Sequence, residues 1–408
     1  MADRLANAVA RRVFLWLHGL CDDWPPGAFS RADLPKLVER IGFVQIDAIR
    51  TVERAHHHIL LSRVRNYKPG WLDHHLELER TLFENWTHDA SVIPMQFFPY
   101  WKPRFRCAHD ELLRRPWWRE RMGDDPDTVC RQVLDYVAEK GPVMARDLKT
   151  ANTDPLGGIN ASTSVWWGWH PLKAALVFLW RTGRLAVSRR QGFQKVYDLT
   201  ERVIPAQHLE QDPSDAEFLR WKCATALERM GFASTGEVAR YWGGIRPQEA
   251  KSWSEGAGRN SVRALEIEDA SGDVRLDLAR PDLDHLAREV PDPPSRVRFL
   301  SPFDPVVRDR KRTKRLFGFD FRVEMFVPAS KRQYGYYVYP ILERDRLIGR
   351  IEIKNNREAD TLDVLGLWFE PRIRANKSRD TLIGAELDRW RRHVGLAGVT
   401  WCGRSHDG

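Results

Sequence analysis

Two side chains able to share a water molecule stand two positions apart in the stretch Gly42-Phe43-Val44-Gln45-Ile46-Asp47. Alternate residues of an extended strand project to one side. Gln45 and Asp47 would then enter one space, while Val44 and Ile46 face the packed side. A carboxylate among apolar neighbours is costly unless it has a partner or a task. An ionised Asp accepts protons and hydrogen bonds, and an amide both donates and accepts. Together the pair could hold one water and take a proton from it. The same pattern also suits the solvent-facing side of an edge strand, where neither residue needs a function. Arg54, His56 and His57 follow closely and could support a pocket around the pair. The triplet His56-His57-His58 does not predict a metal centre, because adjacent side chains diverge and the i, i+4 spacing of a zinc helix is absent. The expectation is one histidine lining the pocket, the others in structural hydrogen bonds, and no metal or cofactor.

Two basic clusters could contact phosphates. Six of the eight residues from Arg308 to Arg315 are Lys or Arg. Between the apolar stretches Ser301–Pro305 and Leu316–Phe321, they predict a rigidly anchored loop in which Arg308, Arg310, Lys311 and Arg312 bind a nucleic-acid backbone by displacing counterions. The second cluster is a hairpin tip bearing Arg189, Arg190 and Gln191, with Lys195 on the return strand. A solvated basic loop is the plainer alternative for both. Motifs for several other chemistries are missing: no Gly-rich nucleotide loop, no GxSxG elbow, no kinase signature and no HxE…PCxxC deaminase pattern.

The elements that would position these residues follow from periodicity. The chain has 408 residues, 30% charged and 42% hydrophobic, which allows several domains of ordinary soluble type. A net charge of +9 favours a polyanionic partner, and 17 Trp offer both core volume and stacking faces. Five scattered cysteines without a CxxC suit a reduced compartment rather than a disulfide framework or zinc ribbon. The N-terminus is too charged for a signal peptide, and no apolar run is long enough to span a bilayer. The expected location is cytoplasmic and nucleoid-associated. Ser30 predicts the start of a helix that ends at Gly42. Similar helix-then-Gly stops occur at Gly141 and Gly231, each followed by a short strand and another helix, the order of a winged helix. The middle unit is the most regular. Val129, Val133, Leu134 and Val137 predict its first helix, Ala145–Leu148 begin its second, and Leu172, Ala175, Leu176, Leu179 and Trp180 give its third. The hairpin 184–199 is the wing. Residues 281–296 read as a linker. Period-two alternation over 335–368 predicts a small β-barrel or curled sheet, with a helix over 378–394 packed on it through Leu382, Ile383, Leu387 and Trp390, and a loose tail from Cys402. The fold class is thus α+β: tandem winged-helix domains over 1–124, 125–210 and 211–290, then a β-barrel with a terminal helix over 296–400.

The runs IGFVQIDAIRTVERAHHHILLSR and LSPFDPVVRDRKRTKRLFGFDFRVEMFVPASKRQYGYYVYPILERDRLIGRIEIK resemble the YcaQ/AlkZ-type bacterial DNA glycosylases. The resemblance implies three winged helices around a C-shaped cleft with a C-terminal β-barrel. It also implies excision of N7-alkylguanine and unhooking of interstrand crosslinks, by a monomer acting on double-stranded DNA and no membrane. The family's motif is Gln-apolar-Gln in a self-resistance branch and Gln-apolar-Asp in a broader branch. Gln45-Ile46-Asp47 matches the second, which makes Gln45 and Asp47 the implied catalytic residues. The principal rival is a non-enzymatic winged-helix transcriptional regulator, in which that pair would be incidental.

Overall fold

The computed structural model describes residues 4–24, 27–148, 171–256, 261–403 and 405–406. Its contacts divide the chain into two units, one of Pro69–Lys222 and one of Met1–Lys68 with Cys223–Gly408. Residues 1–124, expected as one domain, are therefore shared between the two units. No helix among the described residues is long and apolar enough to cross a membrane.

In the discontinuous unit, helix Asn7–Leu17 buries Ala10, Val13, Phe14 and Leu15. Ser30 and Asp33 form a reciprocal capping box at a short 3-10 turn that leads into helix Leu34–Ile41. That helix buries Leu34, Leu37, Val38 and Ile41, the one-sided stripe of an amphipathic helix. Gly42 ends it at φ +85°. A Cβ there would lie 2.7 Å from the Tyr241 hydroxyl, so glycine is needed for the turn and for the close approach. Strand Val44–Gln45 follows directly. A separate four-stranded sheet runs in the order Arg4–Leu5, Arg263–Glu268, Val274–Ala279, Phe232–Ala233, and its first pair is parallel. The expected linker contains a helix, Leu283–Glu289.

The C-terminal sheet is ordered Val297–Phe299, Val338–Glu343, Arg346–Asn356, Thr361–Phe369, Gly398–Trp401. Irregularities at Ile341/Leu342 and Glu352/Ile353 increase its twist and curl it. It is a curled half-barrel, the second of the two forms expected from alternation. The last strands join in parallel after a helical crossover, and Val297–Phe299 stands at one edge of the path. Helix Lys377–His393 buries Ile383, Leu387 and Trp390 but leaves Leu382 half-exposed. Within the tail expected to be loose, Ser405–His406 pair in parallel with Thr361–Phe369.

In the other unit, hairpin Leu82–Trp86/Ala90–Pro94 precedes helices Lys102–Leu113, Pro116–Met122 and Pro126–Lys140. Trp118, Met122, Val133, Val137, Phe178 and Trp180 share one core. Strand Val143–Met144, helix Pro171–Arg181 and the hairpin Leu185–Gln191/Gln194–Leu199 complete it. Its three-stranded sheet places Gln194–Leu199 in the middle. Ala145–Leu148 form a turn, and the rest of the expected second helix lies outside the described residues. Its strands run on through Arg189, Arg190 and Gln191, which were expected in the tip, and it turns at Gly192 and Phe193, both with positive φ, which matches the twist of its strands.

Candidate active site

Gln45 is 4% exposed at the end of its strand. Asp47 lies just beyond that end and is half-buried. Its Oδ1 accepts the Ile49 backbone N–H at 2.8 Å, a turn made by the side chain that fixes the carboxylate's rotamer. The next residues are tied to the C-terminal sheet. Asn355 donates from its backbone to the Thr51 carbonyl and from its amide to the Val52 carbonyl, both at 2.9 Å. The Thr51 hydroxyl meets the Tyr339 hydroxyl at 2.6 Å. Next to Tyr339 is Tyr337, whose hydroxyl is raised well above its ordinary pKa, mainly by burial and Tyr339, with a smaller push from the charge on Asp47. The Asp47 carboxylate therefore lies within electrostatic reach of a buried phenol.

Glu53 is a buried acid near the motif that the sequence reading did not single out. It is 5% exposed, accepts the Arg54 backbone N–H at 2.9 Å, and faces Arg50 Nε at 3.1 Å and His393 Nε2 at 4.0 Å. A lone acid beside an apolar, His-rich helix was the available signal, by the same reasoning that singled out Asp47.

Arg54 precedes helix Ala55–Leu61 and is half-buried, while His56, His57 and His58 are all buried within that helix. His57 Nδ1 lies 2.8 Å from the Tyr67 hydroxyl, and burial pulls this histidine down to about 4. His58 Nε2 meets the Phe299 carbonyl at 2.7 Å, and its ring stacks on Tyr339; burial pulls it down to about 3. His56 packs ring to ring on His57 at 4.2 Å. Neutral, hydrogen-bonded rings of this kind shape a wall and do not carry charge. Among the described residues no group of three His, Cys, Asp or Glu side chains converges as a metal site would require.

Arg63 and Asp304 form a bidentate, fully buried pair at 2.7 and 3.0 Å. With the Thr51–Tyr339, Asn355–Thr51 and His58–Phe299 contacts, this pair joins residues 51–63 and 299–355 into one body.

The basic cluster at 308–315 differs from the loop expected. Asp304 and Asp309 cap two helices, Pro305–Arg308 and Arg310–Phe317. Arg312 is 2% exposed and pairs with Glu237 at 3.3 Å, so it is turned inward, away from any phosphate. Arg315 pairs with Glu237 and with Asp277 at 3.0 Å. Burial pushes the Glu237 carboxyl up, but Arg312 and Arg315 outweigh it and hold it far below the usual carboxylate range. Arg308 donates to the Tyr241 carbonyl at 3.1 Å and stands over the Phe43 ring, so it braces the motif strand. Arg310 donates to the Pro302 carbonyl at 3.0 Å and covers the Phe321 ring. Of the four residues expected to bind phosphate here, Lys311 is the one fully exposed. The hairpin shows the same division. Arg190 makes a bidentate pair with Glu84 at 2.8 and 2.7 Å, and Lys195 lies over the Trp180 ring and 3.5 Å from Glu84. Arg189 and Gln191 are exposed.

The chain belongs to the AlkZ-like DNA glycosylase family, whose model, described as "DNA glycosylase AlkZ-like", matches residues 38–393 and spans both runs. Among solved structures, the Streptomyces sahachiroi DNA glycosylase AlkZ is similar over 98% of this chain and 100% of that one, at 16% identity and a TM-score of 0.66. At that identity the likeness is one of fold.

Proposed function

We propose that this DNA glycosylase is monofunctional, hydrolyses the N-glycosidic bond of N7-alkylguanine and unhooks interstrand crosslinks, as a member of the Gln-apolar-Asp branch. The observation that carries the reading is the fixed carboxylate of Asp47, held by the Ile49 N–H just past the buried Gln45. Alkylation at N7 makes guanine cationic and a good leaving group, so the bond breaks with little acid assistance. The remaining work is to stabilise an oxocarbenium-like sugar and deliver water to C1′. Ionised Asp47 stabilises that cation and takes the proton from the water, and the Gln45 amide orients the water. No lysine occurs between Gly42 and Arg63 to form a Schiff base, which is why no strand cleavage is expected. The helices Pro126–Lys140 and Pro171–Arg181 with their hairpin are read as a winged helix, and Arg189, Gln191 and Lys311 as backbone contacts.

The test is base release from DNA carrying N7-methylguanine and from a nitrogen-mustard crosslink. Asp47→Asn should abolish release while leaving duplex affinity within about twofold, because the substitution removes one negative charge and no phosphate-binding group. Undiminished release by that variant would remove Asp47 from the mechanism. Promoter protection without an abasic product would instead favour the regulator.

A further inference from the structure

A cavity of about 630 Å³ opens in the discontinuous unit beside the C-terminal helix, and its lining includes Tyr67 and His393, the partners of His57 and Glu53. Arg65, Lys68, Arg296, Arg389 and Arg392 line it, against the single carboxylate Glu386. Nearby acids neutralise part of this charge. Glu386 holds Arg389 at 2.6 Å, Asp388 holds Arg392 at 2.5 Å, and Asp23 lies 3.4 Å from Arg65. Arg296 is left the least satisfied. Its side chain is 13% exposed, its nearest carboxylate oxygen, on Asp23, is 3.7 Å away, and Nη2 reaches the Arg63 carbonyl only at 3.4 Å. Its Nη1 is buried with no hydrogen-bond partner among the described residues, and so are Nε and Nη2 of Arg298. Burial, and then the charge of Arg298, push Arg296 down to about 9.

A buried guanidinium that lines a cavity with both Nε and Nη1 unpartnered, as Arg296 does, is costly unless something occupies the space it faces. Buried donors without partners are few in native proteins and call for a ligand or ordered water. An anion offering several acceptors would satisfy them. Guanidinium forks match the tetrahedral oxygens of phosphate better than they match a point charge. Asn66 and His393 add two polar groups, Leu61, Tyr67, Val297, Leu382 and Ala385 supply an apolar and aromatic wall, and the volume exceeds what a bare ion needs. We infer that this cavity binds the phosphate group of a nucleotide, with Arg296 at its base and Arg392 at its rim. The nucleotide is either free or part of a DNA strand, and the inference does not depend on the role given to Asp47.

Calorimetric titration of the full chain with 5′-dGMP, and with deoxyguanosine as the uncharged control, tests the site. Duplex binding is followed in parallel by anisotropy. Arg392→Gln changes a largely exposed side chain and should stay folded, as circular dichroism will show, and Arg296→Gln is the buried counterpart. The expected result is binding of dGMP and not of deoxyguanosine, weakened about tenfold by either substitution, as befits one charge-assisted hydrogen bond fewer. Displacement of duplex by dGMP, with a similar drop of duplex affinity in Arg392→Gln, would assign the phosphate to a DNA strand. Binding of dGMP without displacement would assign it to a free nucleotide. If the wild type takes up no dGMP and Arg392→Gln binds duplex as the wild type does, the inference is overturned. Excision abolished in Asp47→Asn with dGMP binding retained would separate this site from the catalytic one.

Discussion

His57 and His58 stand shortly after Asp47 and are neutral because they are buried, held down to about 4 and about 3. Their unfolded value is about 6.5. A base whose folded pKa is depressed contributes stability that is complete above the unfolded value and is lost as pH falls towards the folded one. For His57 that window runs from about 6.5 down to about 4, with a slope near about 1.4 kcal/mol per pH unit. His57→Gln lacks this titration. The stability difference between wild type and variant should therefore shrink by about 2 kcal/mol between pH 7.5 and pH 5, read from urea unfolding at each pH. A difference that stays constant would mean that His57 is charged in the native state. At this scale the sequence was a partial guide. An acid among apolar residues pointed to Asp47, whereas Glu53 gave a weaker signal, because its partner His393 lies far along the chain.

The helix Arg310–Phe317 shows where reading an element by composition fails. Its charge count pointed to a nucleic-acid surface. Its burial follows the helical period instead, with Arg312, Thr313 and Leu316 inward and Lys311 and Lys314 outward. Charge alone does not specify which face meets Glu237 and Asp277, because those acids come from distant segments. The caps Asp304 and Asp309 were the local signal that the run is helical. The apolar stripe of helix Pro171–Arg181 was legible because period and burial agree there. The half-barrel was legible as strands, but alternation left barrel and curled sheet open, because closure depends on which strands pair. Arg312→Ala should cost about 1–3 kcal/mol, since it removes one of three guanidiniums around the buried Glu237 carboxylate, which Arg275 and Arg315 still hold, and uncovers the Phe14 and Phe232 rings. Lys311→Ala should change stability by less than about 0.5 kcal/mol. Urea midpoints decide the matter, and equal midpoints would show that the Arg312–Glu237 pair contributes nothing net.

Across the whole chain, the two runs that carry the family resemblance are far apart in sequence yet share the buried Arg63–Asp304 pair. Sequence showed both runs but could not show that they touch. The same long-range pairing governs how the net charge of +9 is used. Several of the arginines expected to bind DNA are committed to internal carboxylates or carbonyls, so their charge adds to the long-range field without reaching a phosphate. Counterion release follows the number of phosphates neutralised and not net charge. Each phosphate left unneutralised makes the slope of log K against log salt shallower by about 0.9 on duplex DNA. Arg189→Gln and Lys311→Gln, both changing exposed side chains, should each reduce that slope by about 0.9 and the double variant by about 1.8. Arg190→Gln breaks the bidentate pair with Glu84, so it should leave the slope unchanged while lowering the unfolding midpoint. Anisotropy titrations on one duplex between 50 and 200 mM salt separate the two behaviours. A flattened slope for Arg190→Gln, with none for Arg189→Gln, would mean that the hairpin gives up its Glu84 pair when it meets DNA.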